Sequence, residues 1–595
     1  MKKLVSLMLA CTLLLGVMAG CTSKASSPLF QSEQLKKGEY INYITTDKAA
    51  YEPGEKVNFQ LTLQDALEEG ALVVRYLHLQ ELIEEQEVLL SGDTSVTWEW
   101  TTKEDDFTGY MVEVYMKDGD EIIDHSNIAV DVSSDWAKFP RYGYLADFYE
   151  VPEAEQKNVI DKLNRFHING LQFYDWQFKH ERPLKMENGE VAATWPDIAN
   201  REVSRNTIET YISLAHEKNM KTMNYNLLFG AYENYEEEGV KKEWGIFRDP
   251  LLENQDKHPL PDSWASDIYL MNPGNEEWQQ FIIDAEKEVF EHLDFDGWHV
   301  DQLGDRGTLW DGEGKRVDLS TTYAPFVKKA KEELQVDLVL NAVSQYAQGY
   351  IATQAPVSFL YSELWDSHQT YGSLKDAIDQ NDKLSDYKLN TVLAAYMNYD
   401  LSDSMGEFNA PGVLLTNAVI FAAGGAHLEL GENMLSKEYF PHKKLSISDE
   451  LNEQLIHYYD FKVAYQNLLR DGAEEVTKPL TINKEEMKVS NRAERGAIWS
   501  YTKQKDNKDI IQFINLTDAT SVDWRDNDGS QVEPSIQEDL KVETETSGKV
   551  KKVWIASPDF YSGSAVELDF KQKGKTIEFT IPQIKYWDMV VVEYQ

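Results

Sequence analysis

The sequence contains almost no cysteine. Cys11 and Cys21 are its two cysteines among 595 residues, and both lie close to the N-terminus. A disulfide framework or a cysteine-based zinc site is therefore excluded from the rest of the chain. Clusters of histidine and cysteine with ligand spacing are also lacking, so we predict neither a catalytic metal nor a cofactor.

Positive charge is scarce as well. Lysine and arginine total 58 against 102 aspartate and glutamate residues, which gives a formal net charge of −44. Such a protein repels the phosphate backbone of a nucleic acid, whereas a neutral polysaccharide meets no such penalty. Most of the 15 Trp and 31 Tyr residues are core material, but the same side chains also form surfaces on which sugar rings stack. We expect a monomer with no nucleic-acid partner.

The first residues have the pattern of a secretion signal. Lys2 and Lys3 precede an apolar run over residues 4–17, which is too short for a membrane span. The following Met-Ala-Gly-Cys is similar to a bacterial lipobox, whose cysteine becomes the lipidated first residue of the mature protein. We therefore predict a lipoprotein signal peptide over residues 1–20 and lipidation at Cys21. The alternative is ordinary secretion with cleavage nearby.

Two β-rich regions flank a mixed region in the remaining chain. After a tether over residues 21–38, apolar residues alternate with polar ones over residues 39–134, which predicts an immunoglobulin-like β-sandwich. Strand patterns return over residues 475–595 and predict a C-terminal antiparallel β-sandwich, with polar residues 534–550 as an exposed loop. We expect the folded protein to be extracytoplasmic, as a cell-surface lipoprotein that is anchored to the bacterial membrane.

The middle region, residues 135–474, alternates between strand and helix patterns. Helical spacing is typical of residues 323–334, and short apolar runs between such helices indicate parallel strands. The density of this alternation predicts a central (β/α)8 TIM barrel, whose eighth strand is assigned to residues 413–423. Long excursions over residues 233–266 and 306–319 are expected to form the walls of a cleft.

Two predicted barrel strands end in a carboxylate, Asp301 and Glu363. The carboxyl ends of parallel strands meet at one face of a barrel, so these groups are expected to lie close together. Cleavage of a glycosidic bond needs one carboxylate and one carboxylic acid. His299 or Arg306 could keep Asp301 ionised, whereas apolar surroundings would raise the pKa of Glu363 and suit it to donate a proton. Strand-end carboxylates also cap helices or form ion pairs, so a structural role stays open.

Further polar residues lie at other predicted strand ends. Together with neighbouring aromatic side chains they could hold the hydroxyls of a sugar by stacking and hydrogen bonding. A purely structural role is the alternative for each histidine. The residues are Asp175, His180, Asn341, Asn398, His427 and Glu429.

The stretch Asp-Gly-Trp-His-Val-Asp-Gln-Leu-Gly-Asp, residues 296–305, resembles glycoside hydrolase family 66, which contains endo-dextranases and cycloisomaltooligosaccharide glucanotransferases. Residues 173–180, 361–365 and 426–432 carry the same resemblance. It implies retaining double displacement on α-1,6-linked glucan, with Asp301 as nucleophile and Glu363 as acid/base. It also implies glucose binding at the cleaved subsite by Asp175, His180, Asn341, His427 and Glu429.

One departure from the glucanotransferase branch bears on the reaction. Those enzymes carry a carbohydrate-binding module inserted in the barrel, and no β-rich insert of that kind occurs in this sequence. We therefore expect endo-hydrolysis of dextran to linear isomaltooligosaccharides. The alternatives are a transglycosylase that makes cyclic isomaltooligosaccharides and a non-catalytic glucan-binding lipoprotein of the cell surface.

Overall fold

Strands and helices follow one another in three groups in the computed structural model, which describes residues 28, 38–439, 442–483 and 487–595. The predicted signal peptide and Cys21 lie outside these residues. Within the described part of the chain, no helix has both the length and the apolar character needed to cross a membrane.

Seven strands near the N-terminus form two antiparallel sheets around one core. Val57, Phe59 and Leu61 alternate inward along one strand and are almost completely buried, as the period of two of a β-strand requires. The ring of Phe59 stacks on Trp98 from the neighbouring strand, with centroids 5.0 Å apart. The smaller sheet contains Ile41–Thr46, Lys56–Leu63 and Ser95–Thr101, and the larger contains Glu81–Leu89, Ala71–His78, Thr108–Asp118 and Glu121–Val132.

Eight parallel strands occupy the middle of the chain, and we number them one to eight. Strands one to five form one sheet and strands six to eight another. A parallel bridge between Asn341 and Tyr361 joins strands five and six. The N–H of Tyr144 in strand one donates to the carbonyl of Leu430, just beyond strand eight, at 3.0 Å. The strands are Tyr142–Leu145, Gly170–Phe173, Lys221–Leu227, Gly297–Asp301, Asp337–Leu340, Leu360–Glu363, Thr391–Ala394 and Ala426–Leu428.

A helix follows each parallel strand. Several helices begin at a side chain that accepts a hydrogen bond from the first turn: Ser204, Asn275 and Ser448 do so at three of them. The helix predicted at 323–334 is confirmed at both ends. The helices are Glu153–Arg165, Arg205–Glu217, Glu276–His292, Tyr323–Leu334, Gln348–Gln354, Tyr371–Leu384, Ala410–Ala423 and Asp449–Ala464.

The prediction of a strand over residues 413–423 is wrong, because these residues lie in the helix Ala410–Ala423. This helix is buried on every side, so it lacks the polar face that would reveal helical periodicity. Its ends still carry helix signals: Pro411 lies in the first turn, and Gly424 follows the last residue with a left-handed φ of 99°. The eighth strand is Ala426–Leu428.

The C-terminal strands form a seven-stranded and a four-stranded sheet. The prediction of an exposed loop over residues 534–550 is wrong, since Gln537–Glu545 is a strand of the smaller sheet. Leu540 and Val542 are buried there, whereas the alternating residues Lys541, Glu543 and Glu545 face solvent, so the high polarity of the segment comes from one exposed face of the strand. The longer strands are Ala497–Lys505, Lys508–Asn515, Gln537–Glu545, Val550–Ala556, Thr576–Ile584 and Trp587–Tyr594.

A buried ion cluster ties the last helix to the rest of the fold. Asp460 accepts hydrogen bonds from Arg165 at 2.9 Å, from His167 at 2.7 Å and from the backbone N–H of Ala129 at 2.9 Å. Burial opposes ionisation of this carboxyl, but Arg165 and His167 together hold the pKa of Asp460 below its ordinary value. The carboxylate therefore joins the first and last helices of the parallel region to an N-terminal strand.

We expect Asp460→Asn to destabilise the protein by about 3–5 kcal/mol, because Arg165 is left buried without its charged partner. Since the folded pKa lies below the unfolded value of about 3.9, the contribution of Asp460 is present above that pH and is lost as the pH falls. Urea unfolding followed by circular dichroism at neutral pH measures the change. Glu313→Gln, which removes an exposed partner of Lys315, is the control, and an equal midpoint for the two variants would refute the prediction.

Candidate active site

Asp301 and Glu363 are the last residues of strands four and six, and a single side chain connects them. The Nδ2 atom of Asn341, directly after strand five, donates to Oδ1 of Asp301 at 2.8 Å and to Oε2 of Glu363 at 3.2 Å. Because both distances start from one nitrogen atom, the two carboxylate oxygens lie no more than about 6 Å apart. The predicted proximity of the two carboxylates is therefore present in the structure.

Neutral donors surround Asp301. Besides Asn341, it accepts hydrogen bonds from the hydroxyl of Tyr225 at 2.7 Å and from the backbone N–H of Gln302 at 2.8 Å. Burial raises the pKa of Asp301, and these three hydrogen bonds act in the opposite direction. Among the residues that the structure describes, hydrogen bonds are thus what stabilises the carboxylate of Asp301.

The two residues expected to keep Asp301 ionised interact with other residues instead. His299 has its Nδ1 3.1 Å from the hydroxyl of Tyr142, and burial lowers the pKa of His299 to about 3, so the ring is neutral. Arg306 forms an ion pair with Asp256 at 2.8 Å. The expectation of a cationic neighbour for Asp301 is therefore wrong.

Glu363 has the environment of a proton donor. Its Oε1 accepts a hydrogen bond from the hydroxyl of Tyr396 at 2.5 Å, and its backbone N–H donates to Oδ1 of Asn341 at 3.1 Å. Burial, followed by the negative charge of Asp301, raises the pKa of Glu363 to about 7. A carboxyl group with this pKa still carries its proton in much of the population near neutral pH.

A cleft of about 270 Å³ opens above the pair. The excursion after strand three contributes His258 and Trp264, and the loop after strand eight contributes Tyr439. The hydroxyl of Tyr439 lies 3.2 Å from Nε2 of His258, so the two segments meet at the cleft. The other aromatic and polar lining residues include Tyr174, Trp365, Gln302 and Glu438.

Asp175 and His180, both predicted to bind sugar, line this cleft. Burial raises the pKa of Asp175 to about 7, with Asp197 and Asp301 adding to the effect and Arg201 opposing it. Burial lowers the pKa of His180 to about 4, so its ring is neutral. The ring keeps one nitrogen, Nε2, without a hydrogen-bond partner among the described residues.

His427 and Glu429 lie away from the cleft. Side chains alternate along strand eight, and these two point outward to the surrounding helices. Nε2 of His427 is 2.8 Å from the carbonyl oxygen of Ala395, and Glu429 accepts hydrogen bonds from Asn417 at 2.8 Å and Tyr459 at 2.9 Å. The structure thus assigns them to a buried polar cluster, which corrects the expectation of direct sugar contact.

The side-chain amide of Asn398 is also occupied by hydrogen bonds to other residues of the protein. It is fully buried, its Nδ2 donates to the carbonyl of Asp526 at 2.6 Å, and its Oδ1 accepts the N–H of Asn409 at 2.9 Å. It holds a C-terminal segment against the parallel strands. Asn341 lies at the site, but it bridges the two carboxylates and does not line the cleft.

Tyr225 and Tyr396 are site residues that were not predicted from the sequence. They lie within or just after strands three and seven, where a tyrosine looks like any other core residue, and no motif marks them. Arg525 was missed as well: its guanidinium donates to the carbonyl of Leu364, next to Glu363, at 3.1 Å, and lies 5.2 Å from the ring centroid of Trp365. A contact between residues so distant in sequence leaves no local pattern.

Two buried carboxylates at this separation, in an aromatic cleft at the carboxyl ends of parallel strands, are typical of enzymes that cleave or transfer glycosidic bonds. Among the described residues, no group of three or more potential ligands has the arrangement of a metal site. The chain matches Glycosyl hydrolase family 66 over residues 46–591, and it belongs to that family.

Relatives of known activity cover most of this chain. A cycloisomaltooligosaccharide glucanotransferase of Niallia circulans is 28% identical over 652 aligned residues, which cover 85% of this chain and 67% of the relative. A dextranase of Streptococcus salivarius is 23% identical, with coverage of 84% and 69%. The crystal structure of a Paenibacillus sp. cycloisomaltooligosaccharide glucanotransferase complexed with cycloisomaltoheptaose has a TM-score of 0.87 at 27% identity, over 93% of this chain and 99% of that one. This chain spans about two thirds of the length of the first two relatives.

We expect two substitutions to move the pKa of Glu363 in opposite directions. Tyr396→Phe removes a hydrogen bond that favours the carboxylate and should raise the pKa above about 7, whereas Asp301→Asn removes a negative charge and should lower it. Titration of ¹³C-labelled glutamate carboxyl groups by NMR measures both shifts, with Glu363→Gln to assign the signal.

Asp305→Asn is the matched control, since Asp305 lies in the loop after strand four but does not contact the pair. It should leave the titration of Glu363 unchanged. A shift of the same sign in the Tyr396 and Asp301 variants would mean that the two carboxyl groups do not interact as described.

Proposed function

We propose that this protein is a retaining endo-dextranase that hydrolyses α-1,6-glucosidic linkages to isomaltooligosaccharides. The observation that carries the proposal is the Asn341 bridge, which limits the separation of the carboxylate oxygens of Asp301 and Glu363 to about 6 Å. Retaining glycosidases have carboxyl groups about 5–5.5 Å apart, whereas inverting enzymes need roughly 6.5–9.5 Å to admit a water molecule. The geometry favours double displacement.

In the first step, the carboxylate of Asp301 attacks the anomeric carbon while the bond from that carbon to the glycosidic oxygen breaks. Glu363 gives its proton to the departing oxygen, which leaves as the hydroxyl of the released chain. In the second step, Glu363 removes a proton from water, and the water oxygen displaces Asp301 from the sugar. The pKa of Glu363, about 7, suits a group that must first donate and then accept a proton.

The cleft supports recognition of a neutral glucan. Asp175 and the free Nε2 of His180 offer acceptors for sugar hydroxyls, and Trp264 and Trp365 offer ring faces or edges for stacking. The α-1,6 linkage is proposed from the relatives, since they are named as a dextranase and as glucanotransferases of cycloisomaltooligosaccharides.

Hydrolysis is favoured over cyclisation because the connection between strands five and six is short. Strand five ends at Leu340 and strand six begins at Leu360, with the short helix Gln348–Gln354 between them. The alignment with the Niallia glucanotransferase runs over 652 positions, more than the 595 residues of this chain, so that relative carries residues without a counterpart here. A cycloisomaltooligosaccharide glucanotransferase is the second candidate, favoured by the TM-score of 0.87 to such an enzyme.

We infer that the parallel strands form the predicted closed (β/α)8 barrel, over about residues 135–474. The support is that each strand has neighbours on both sides, with the first beside the eighth. The two N-terminal sheets and the two C-terminal sheets are proposed to be the flanking β-sandwiches of residues 39–134 and 475–595, because each pair shares a hydrophobic cluster.

We also propose that residues 1–20 are removed as a signal peptide and that a lipid on Cys21 anchors the enzyme to the outer face of the bacterial membrane. The support is the Met-Ala-Gly-Cys motif after a short apolar run. An anchored dextranase would release its products beside the cell.

We expect Asp301→Asn and Glu363→Gln each to lower kcat on dextran by roughly 10³-fold or more, because one removes the nucleophile and the other the proton donor. Release of reducing sugar from dextran, compared with starch and pullulan, measures activity and linkage choice together. Asp305→Asn, in the loop that follows Asp301, should retain activity.

Chromatography of the products separates the candidate functions. Linear isomaltooligosaccharides are the expected products, whereas cyclic products without linear sugars would establish the glucanotransferase. Undiminished activity in both carboxylate variants would contradict the assigned mechanism, and binding to dextran without cleavage by the unmodified protein would identify a glucan-binding protein.

A further inference from the structure

A carboxylate behind strand three has no part in the mechanism above. Glu286 lies in the helix Glu276–His292, is completely buried, and faces the outer side of the strand Lys221–Leu227. Its Oε2 accepts a hydrogen bond from Nδ2 of Asn224 at 2.5 Å, and its Oε1 accepts one from Nδ2 of Asn226 at 2.6 Å. Two neutral amides therefore hold a carboxyl group in the protein interior. Burial of such a group costs free energy of folding, which suggests a functional role for it.

The orientation of the Asn226 amide is fixed by four contacts. Its Nδ2 donates to Glu286 and also to the backbone carbonyl of His180 at 2.9 Å. Its Oδ1 accepts the N–H of Leu227 at 2.8 Å and lies 2.9 Å from Nδ1 of His180. A reversed amide would place its NH2 group against the N–H of Leu227 and its oxygen against the carbonyl of His180 and the carboxyl of Glu286, so the oxygen of Asn226 faces the histidine ring.

This orientation determines the tautomer of His180. Because Nδ1 faces an acceptor, it carries the proton, and a neutral ring must then have a lone pair on Nε2. The amide nitrogen of Gln177 is 3.3 Å from the same Nδ1 and also donates to the carboxyl of Asp175, while the Gln177 Oε1 has no hydrogen-bond partner among the described residues. Nε2 has no partner among the described residues, and His180 lines the cleft.

We propose that Glu286 is a positioning residue for substrate recognition: through Asn226 it holds His180 in the tautomer whose Nε2 accepts a hydrogen bond from a glucan hydroxyl. This assignment rests on the proposed function for the identity of the sugar, but the tautomer itself does not. The site thereby selects a sugar that presents a hydroxyl donor at this point, and a sugar with an ether or a hydrogen there is disfavoured.

The chain Glu286–Asn226–His180 predicts a coupled set of kinetic effects. Glu286→Leu removes one of the two acceptors that hold the amide nitrogen of Asn226, and kcat/KM on dextran should fall on the order of tenfold, the effect of one hydrogen bond that is lost or left unpaired. His180→Ala should have a similar effect. In the double variant Glu286→Leu/His180→Ala, the loss should equal that of His180→Ala alone, because Glu286 acts through the ring.

Glu286→Gln is the conservative variant that tests folding separately from function. It keeps one oxygen for Nδ2 of Asn226 and turns its amide nitrogen toward Nδ2 of Asn224, so the contact to Asn224 is lost and the contact that leads to His180 is retained. We therefore expect kcat/KM to stay close to that of the unmodified enzyme. Independent, multiplied losses in the double variant would overturn the proposal, since they would assign Glu286 a purely structural role.

The tautomer can be read without any activity. In protein labelled with ¹⁵N-histidine, the His180 signal, assigned by its absence in His180→Ala, should show a protonated Nδ1 and an unprotonated Nε2. Glu286→Leu should convert it to a mixture of tautomers, and Glu286→Gln should not. A protonated Nε2 in the unmodified protein, or a tautomer that is unchanged in Glu286→Leu, would overturn the proposal even if the enzyme cleaves dextran. If dextran is not cleaved but the spectra are as expected, the proposed function fails and the positioning role of Glu286 stands.

Discussion

The hydrogen bonds from the Nδ2 atom of Asn341 to both carboxyl groups are the constraint on which the site depends. Two carboxyl groups so close together cannot both be charged without cost, and burial increases that cost. Asp301 receives three hydrogen bonds and Glu363 carries a pKa raised to about 7, so the two groups can hold one charge and one proton between them. This division of states is what double displacement requires at its start.

Parallel strands make this arrangement possible because they bring distant residues to one edge. Tyr225, Asn341 and Tyr396 come from strands three, five and seven or directly follow them, and they alternate with the strands that end in Asp301 and Glu363. Each carboxylate thus receives a donor from a neighbouring strand. On the outer side of strand three, Asn224 and Asn226 carry polar contacts back to Glu286, so the strand that supplies Tyr225 is itself fixed in position.

The sequence allowed the two carboxylates and the alternation of strands and helices to be predicted, because acidic strand ends and apolar periodicity are local patterns. It also placed Asp175 and His180 at the cleft. The outward direction of His427 and Glu429 was missed because one residue of register reverses the side of a strand that a residue faces. The helix Ala410–Ala423 was missed because a helix buried all round has no polar period. Tyr396 reaches Glu363, and Arg525 reaches the adjacent Leu364, through tertiary contacts that no nearby residue in the sequence indicates.

The configuration of the first product tests the central claim most directly. ¹H NMR of the anomeric protons in the first minutes of dextran cleavage, before mutarotation mixes the anomers, reports whether one displacement or two have occurred. Two displacements at carboxylates this close give the α-anomer first. Initial formation of the β-anomer would show that water attacks directly, and it would contradict a nucleophilic role for Asp301 and the separation of the carboxyl groups that Asn341 sets.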